Sequence, residues 1–168
     1  MIVKATIVEG RSLTDEEFRK GKVITVPWIP KAMYEWDTGT AIGRYLEGLK
    51  QGKILGVQCH KCKRIMVPPR DFCEMCFRNV DEYVELKDTG TVNTFSICNV
   101  SWDMKRVSSP LIPAVIELDG ASEGMGIMHL LGEVDPKAIK RGMKVKAVWK
   151  PSEEREGAIT DIRYFKPL

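Results

Sequence analysis

Four cysteines in two closely spaced pairs are the residues of this chain whose types and spacing could do chemistry. The pairs are Cys59/Cys62 and Cys73/Cys76, and ten residues separate them. The two-residue spacing within each pair lets a tight turn point both sulfurs at one ion, and a short hairpin then brings the second pair opposite. Four thiolates leave no coordination position open, so the pattern predicts a structural metal rather than a hydrolytic one.

Other uses of the four cysteines are less favoured. Disulfides are typical of secreted chains, whereas residues 1–6 lack the basic start and apolar run of a signal peptide. A redox motif would need only one Cys-x-x-Cys pair. Iron binds the same four sulfurs, so the metal is predicted to be zinc with iron as the alternative.

Length and composition are those of a soluble globular chain. The 168 residues are 43% apolar and 29% charged, with a net charge of +3. No run of 18 apolar residues occurs, so no membrane span is expected. The mild basic excess neither demands nor forbids a nucleic-acid partner. Five cysteines without a secretion signal predict a cytoplasmic protein.

The first 36 residues form an extension that precedes the metal-binding part. Thr14 and Glu17 have the spacing of a helix capping box, and Gly21 ends that helix early. Two prolines and three aromatic residues follow, a composition too apolar for a solvated linker. This segment either packs on its own domain or docks a partner subunit through Trp28, Tyr34 and Trp36.

A helix and a zinc ribbon are predicted over residues 37–80. Ala41, Tyr45 and Leu49 fall on one helical face that begins at Asp37 or Thr38 and runs to about Lys50. Strands at 53–58 and 64–67 then lead into and out of the first cysteine pair.

Residues 81–168 alternate with a period of two and are interrupted by turn residues, which favours an antiparallel barrel. Asp135-Pro136 opens a single helical turn between strands. About five strands with one short helix are typical of an OB-fold, so the predicted fold class is mainly β, with N-terminal helices, a zinc ribbon and a five-stranded OB-fold barrel. The strands are expected at 81–87, 91–100, 110–118, 126–132, 143–150 and 158–165.

Ordered stretches beyond the cysteines make the pattern more specific. Pro68-Pro69-Arg70 lies between the two cysteine pairs, and the barrel strands follow. Over roughly residues 40–166 the chain resembles the OB-fold acyl-CoA-associated family known as "domain of unknown function 35". The matching stretches are 52–59, 67–70, 73–76, 88–92, 113–120 and 142–147.

This resemblance implies a rubredoxin-like ribbon joined to an OB-fold, acting as a non-catalytic partner of a thiolase-family enzyme. Family members sit beside thiolases in acetoacetyl-CoA formation, steroid side-chain cleavage and benzoylsuccinyl-CoA cleavage. They help assemble the complex, and some help enclose the CoA thioester. The chain departs from the family at Lys63 and Phe77, which follow the second cysteine of each pair where many members have glycine.

The chain has few residues from which to build a catalytic site of its own. His60 lies inside the first cysteine pair, and His129 lies in a predicted strand. Cys98 is expected to be a buried apolar residue, and no orienting group is available for a Cys98–His129 dyad. We therefore predict no catalytic residues here and expect the partner enzyme to supply the reactive cysteine and the base.

Basic residues crowd the metal module. A metal ion with four thiolates has a formal charge of about −2, so nearby cations are expected simply to offset it. CoA also presents phosphate groups that cations bind, and a rigidly held arginine suits them. The candidate CoA-phosphate ligands are Arg70, Lys63 and Arg64.

The function that the sequence favours is a zinc-stabilised accessory subunit of a thiolase-type acyl-CoA acyltransferase, in a hetero-oligomer. Two other interpretations stay open. OB-folds and zinc ribbons also bind nucleic acids, although the small charge excess does not favour it here. A free-standing acyl-CoA-binding protein is the third interpretation.

Overall fold

The computed structural model describes residues 10, 12–24, 26, 31, 33–101 and 103–168 and divides the chain into two units, residues 1–36 and 37–168. No helix within these described ranges is long and apolar enough to cross a bilayer. The elements are α1 (Asp15–Arg19), α2 (Gly39–Lys50), β1 (Ile54–Gln58), β2 (Ile65–Met66), β3 (Phe72–Cys73), β4 (Arg78–Asn79), β5 (Glu82–Leu86), β6 (Thr89–Phe95), β7 (Cys98–Val100), β8 (Arg106–Leu111), β9 (Pro113–Leu118), β10 (Gly126–Leu130), β11 (Lys144–Trp149) and β12 (Ile162–Pro167).

The first unit contains the predicted short helix. The Thr14 hydroxyl accepts from the backbone N–H of Glu17, and the Glu17 carboxylate accepts from the backbone N–H of Thr14 at 3.0 Å. Gly21 follows the helix with a φ of 62°. The capping box and the glycine stop are therefore confirmed.

Helix α2 opens the second unit and packs through the predicted face. Asp37 accepts from the Gly39 N–H at 2.6 Å, and Ala41, Tyr45 and Leu49 are buried. Gly48 is also buried, and a Cβ there would lie only 2.8 Å from the Leu55 side chain. The helix therefore lies directly on β1.

The metal-binding part is built from short hairpins, as predicted for a ribbon. Strand β1 pairs antiparallel with β2 on one side and with β5 on the other, and β3 pairs with β4. The small cluster of side chains buried here is Val57, Cys59, Met66, Cys73 and Val80.

The barrel is a five-stranded antiparallel sheet in the order β10-β9-β6-β11-β12. A bridge between Leu131 and Phe165 joins its two ends, and Phe165 is fully buried. Residues 136–138 form the expected single helical turn. The mainly β fold class, with a zinc ribbon followed by an OB-fold, is confirmed.

Three local strand predictions were wrong. The strand expected over 158–165 begins only at Ile162, because Ile159–Asp161 form a short 3-10 turn. The strand expected over 91–100 stops at Phe95, and a separate strand begins at Cys98. Strand β8 was missed because its Ser108, Ser109 and Pro110 have low strand propensity. Among the described strands β8 pairs only with β7, in a two-stranded sheet, so Pro110 removes no hydrogen bond of a central strand.

The ribbon and the barrel are joined by the turn between β9 and β10. Ser122 accepts from the Ile65 N–H through its hydroxyl at 2.9 Å, and its own N–H donates to the Ile65 carbonyl at 3.0 Å. Met125 packs against the buried clusters of both parts. Strand β2 of the ribbon is therefore held by the barrel as well as by β1.

A fully buried carboxylate organises the loop before β12. Asp161 accepts from the backbone N–H groups of Glu156, Gly157 and Ala158 at 2.8–3.1 Å, and the Lys150 ammonium lies 3.9 Å away. Burial alone would raise the pKa of Asp161, but the three N–H donors outweigh it and lower the pKa below its ordinary value.

Asp161→Asn should lower the free energy of unfolding at neutral pH by about 2 kcal/mol. The amide nitrogen of asparagine would face a backbone N–H group that now donates to a carboxylate oxygen of Asp161. Since the folded pKa lies below the unfolded value of about 3.9, the carboxylate's stabilisation is present above that value and is lost as the pH falls through the folded pKa.

Urea denaturation at neutral pH and near pH 3 would measure this effect, and the difference between wild type and variant should shrink at the lower pH. Asp88→Asn is the control, since that carboxylate makes only a surface ion pair with Lys146 at 3.8 Å. An equal loss of unfolding free energy in both variants would contradict the role given to Asp161.

Candidate metal centre

The four predicted ligands converge on one point. The sulfurs of Cys59, Cys62, Cys73 and Cys76 all lie within 4.8 Å of one another, and those of Cys62 and Cys73 are 3.7 Å apart. Tetrahedral zinc with bonds of about 2.3 Å places its sulfurs about 3.8 Å apart. The sulfur separation therefore fits an ion at the centre of the cluster.

Burial differs among the four ligands. Cys59 and Cys73 are fully buried, Cys76 is half-buried and Cys62 is exposed. All five cysteines of the chain are free, and 3.7 Å between two sulfurs is far beyond a disulfide bond of about 2.05 Å. The arrangement is a closed four-sulfur site with one ligand at the surface.

Two backbone turns of the same form carry the ligands. Lys63 donates its N–H to the Cys59 carbonyl at 2.8 Å, and Phe77 donates to the Cys73 carbonyl at 2.8 Å. Both residues have a positive φ, 62° for Lys63 and 49° for Phe77. The turns are thus left-handed although neither residue is glycine, which costs each about 1 kcal/mol.

The thiols affect one another's ionisation. The backbone N–H of Cys62 is the main cause that lowers the pKa of Cys59 to about 6. Burial, followed by the neighbouring thiols, raises the pKa of Cys76 to about 12. Four sulfurs this close cannot all carry negative charge unless a cation binds among them, and a bound metal ion displaces the remaining protons.

The candidate phosphate ligands lie beside this centre. Glu74 is held between two guanidiniums, 3.3 Å from Arg70 and 3.5 Å from Arg64. Arg70 has about half of its side chain exposed, whereas Arg64 is mostly buried. Lys63 is exposed and has no ion pair within the described part of the chain. The structure therefore brings the three cations to one ribbon.

Comparison with known proteins agrees with this geometry. The rubredoxin-like zinc ribbon domain of ChsH2 matches residues 46–81, and the ChsH2 C-terminal OB-fold domain matches residues 83–150. A DUF35 domain-containing scaffold protein from Methanocaldococcus jannaschii is 31% identical over 118 residues, which are 68% of this chain and 82% of the relative. The chain belongs to the DUF35 family.

Other members support the assignment. A DUF35 domain-containing scaffold protein from Methanothermobacter thermautotrophicus is 27% identical over 117 residues, 68% of this chain and 86% of the relative. A DUF35 protein of unknown function from Sulfolobus solfataricus has a solved structure with 35% identity and a TM-score of 0.57, covering 66% of this chain and 79% of its own. The resemblance inferred from sequence is confirmed, and the zinc-ribbon match together with the four-cysteine cluster supports structural metal binding.

A further solved structure shares the fold at lower identity. The Ltp2-ChsH2(DUF35) aldolase matches with a TM-score of 0.58 over 79% of this chain and 98% of the matched chain. Its sequence identity is 22%, so the match shows the architecture alone.

The two histidines have local partners in this DUF35 chain. Nε2 of His60 lies 3.3 Å from Oδ1 of Asp81, and its Nδ1 lies 3.2 Å from Oε2 of Glu82. His129 accepts from the Leu130 N–H through Nδ1 at 2.9 Å, so its Nε2 donates to the Ile159 carbonyl at 3.2 Å. Both ring nitrogens of His129 thus contact backbone, which leaves neither free to act as a base.

Of the candidate docking residues, Tyr34 and Trp36 are 76% and 84% exposed. Trp28 lies outside the described residues.

Sequence reasoning did not single out Phe72, Met75 or the turn at Ser122. The local sequence does not show whether an apolar side chain is exposed. It also does not show that Ser122 pairs with Ile65, 57 residues away. For Phe72 and Met75, the one available signal was the excess of apolar residues around the second cysteine pair.

Cys73→Ser should abolish tight metal binding and lower the free energy of unfolding by at least about 3 kcal/mol, because Cys73 is both ligand and buried core. Cys98→Ser is the matched control, since Cys98 lies on β7 outside the cluster and should leave one metal ion per chain. Elemental analysis and thermal melting would measure both effects. Full metal content in Cys73→Ser would contradict the four-ligand site.

Proposed function

We propose that this chain is a non-catalytic, zinc-stabilised scaffold subunit of a thiolase-type acyl-CoA acyltransferase complex. The observation that carries the proposal is a closed four-sulfur centre in a DUF35 chain. A saturated metal has no position for a substrate or water, so it positions surfaces rather than performing chemistry. The curated relatives are described as scaffold proteins, which supports the same role.

Zinc is the proposed metal, with iron as the alternative. Both fit four thiolates, and a match to a zinc-ribbon domain supports zinc. Zinc has no redox chemistry, which suits a centre that serves only the fold.

In the proposed complex the partner supplies the chemistry. A thiolase carries an acyl group on a cysteine and uses a base to manage the α-proton of a second thioester. This chain contributes assembly and a surface beside the acyl-CoA. The neighbour that contains an aldolase favours a second candidate partner, since aldolases also make and break carbon–carbon bonds next to a carbonyl.

Charge pairing on the barrel supports an enzyme partner over a nucleic acid. Three lysines on β11 and β12 each lie beside a carboxylate, so the charge of these three is already offset and is not free for phosphates. Phe165 is fully buried and cannot stack on a base. The ion pairs are Lys144–Asp119 at 2.7 Å, Lys146–Asp88 at 3.8 Å and Lys166–Glu133 at 3.0 Å.

Co-expression with a thiolase-type enzyme from the same organism tests the proposal. We expect one complex on size exclusion, with thiolase activity that falls when this chain is omitted. Chelation of the metal should dissociate the complex before it affects the chemistry of the thiolase. Binding to an aldolase instead would favour the second candidate. A chain that stays monomeric with either enzyme, or that shifts DNA or RNA in a salt-dependent manner, would contradict the scaffold role.

Within that complex we propose that Arg70, together with Arg64 and Lys63, binds the phosphate groups of CoA. Arg70 is accessible, and Glu74 orients its guanidinium at 3.3 Å. One carboxylate shared by two arginines leaves positive charge available for an anion. The same cations also offset the charge of the metal centre, so the two roles must be separated by experiment.

Arg70→Ala should weaken acyl-CoA binding to the assembled complex by about tenfold while leaving metal content unchanged, because a charge-assisted hydrogen bond is lost. Glu74→Gln should act in the opposite direction, since it releases both arginines from their shared carboxylate. Isothermal calorimetry with acetyl-CoA would measure both, and Arg106→Ala on β8 is the charge-matched control. Unchanged affinity in Arg70→Ala would overturn this assignment.

A further inference from the structure

Three apolar side chains are exposed on the hairpin that carries the second cysteine pair. Phe72 is 49% exposed, Met75 is 67% exposed and Phe77 is 86% exposed. They lie close together in the chain, in β3, in the turn after it and directly before β4. The metal ligands Cys73 and Cys76 lie among them, so the backbone that presents them is held by the metal centre.

Phe77 is unfavourable for the isolated chain in two ways. Its φ of 49° is left-handed, where glycine would fit without strain. Its ring is almost fully in water and gives little packing in return. Lys63 has the same conformation in the first turn, but a lysine there is well solvated. Strain kept together with an exposed aromatic ring is typical of a functional position.

Among the charged side chains next to the cysteine pairs, unpaired cations outnumber unpaired carboxylates. Lys61 and Arg78 are exposed, and neither has an ion pair within the part of the chain that the structure describes. Asp71, directly before β3, is a carboxylate that also has no ion pair among the described residues. The complementary surface is therefore an apolar socket surrounded by carboxylates.

We infer that Phe77, with Phe72 and Met75 on the same hairpin, anchors the ribbon in an apolar, acid-rimmed socket of the partner enzyme. The inference rests on the proposed function, because it names the docking surface of that complex. A second copy of this chain fits poorly, since a symmetric contact would bring the same unpaired cations face to face. An aromatic ring on a rigid hairpin is the type of residue that dominates binding energy at interfaces.

The test is a calorimetric titration of the purified thiolase-type subunit with the metal-loaded wild-type chain and its Phe77→Gly variant. We expect the affinity to fall about 30-fold, the range of an interface hot spot. The same variant should keep one metal ion per chain and melt no lower than wild type, since glycine relieves the left-handed strain. If Phe77→Gly folds poorly, Phe77→Asn provides a second variant that tolerates a positive φ.

Met104→Gly is the matched control. Met104 is also apolar, 84% exposed and left-handed, with a φ of 64°, but it lies in the turn between β7 and β8 beside the Asp103–Lys105 ion pair. The control removes the same strain and a similar exposed side chain away from the ribbon, so its affinity should stay within about twofold of wild type.

The outcomes separate this inference from the proposed function. Binding by the wild type with an equal affinity for Phe77→Gly would overturn the docking surface and leave the scaffold role standing. If only Met104→Gly lost affinity, the contact would lie on the β7–β8 hairpin, and the docking surface inferred here would again be overturned. No binding by the wild type would overturn both. A homodimer in sedimentation that Phe77→Gly dissociates would replace the enzyme with a second copy and refute the stated occupant.

Discussion

Convergence of four sulfurs on one point, where their separation fits a metal ion, is the constraint on which the ribbon depends. Strands β2, β3 and β4 have two residues each, too short to form stable hairpins in water. The buried cluster under them contains only five residues, and two of these are metal ligands. The metal centre therefore does for this part of the chain what a hydrophobic core does for the barrel.

The order imposed by the metal reaches the barrel through few but specific contacts. Ser122 pairs with Ile65 through both its hydroxyl and its backbone, and Met125 packs against both buried clusters. On the other side β1 pairs with β5, the strand that leads into the barrel. A ribbon held at two edges is a rigid platform, which suits a subunit whose role is to position surfaces.

Local signals explain why much of this arrangement was predictable from sequence. The capping box at Thr14, the apolar face of α2 and the paired cysteines each depend on spacing within about a dozen residues. The contact between Ile65 and Ser122 spans 57 residues and uses an ordinary serine, so no local pattern announces it. Strand β8 was missed for a related reason, since its pairing with β7 outweighs the poor propensity of its own residues.

The two left-handed turns show how the metal centre widens the choice of residues at the ribbon surface. Each turn is fixed by an N–H donated to a ligand cysteine's carbonyl at 2.8 Å and by the convergence of the sulfurs, so the backbone holds its form without glycine. Strain of about 1 kcal/mol per turn is small beside the free energy of binding a structural metal, about 10 kcal/mol or more. Lys63 and Phe77 are therefore free to be chosen for what their side chains meet outside the fold. In the proposed complex, that is the CoA phosphate groups for Lys63 and the partner enzyme for Phe77.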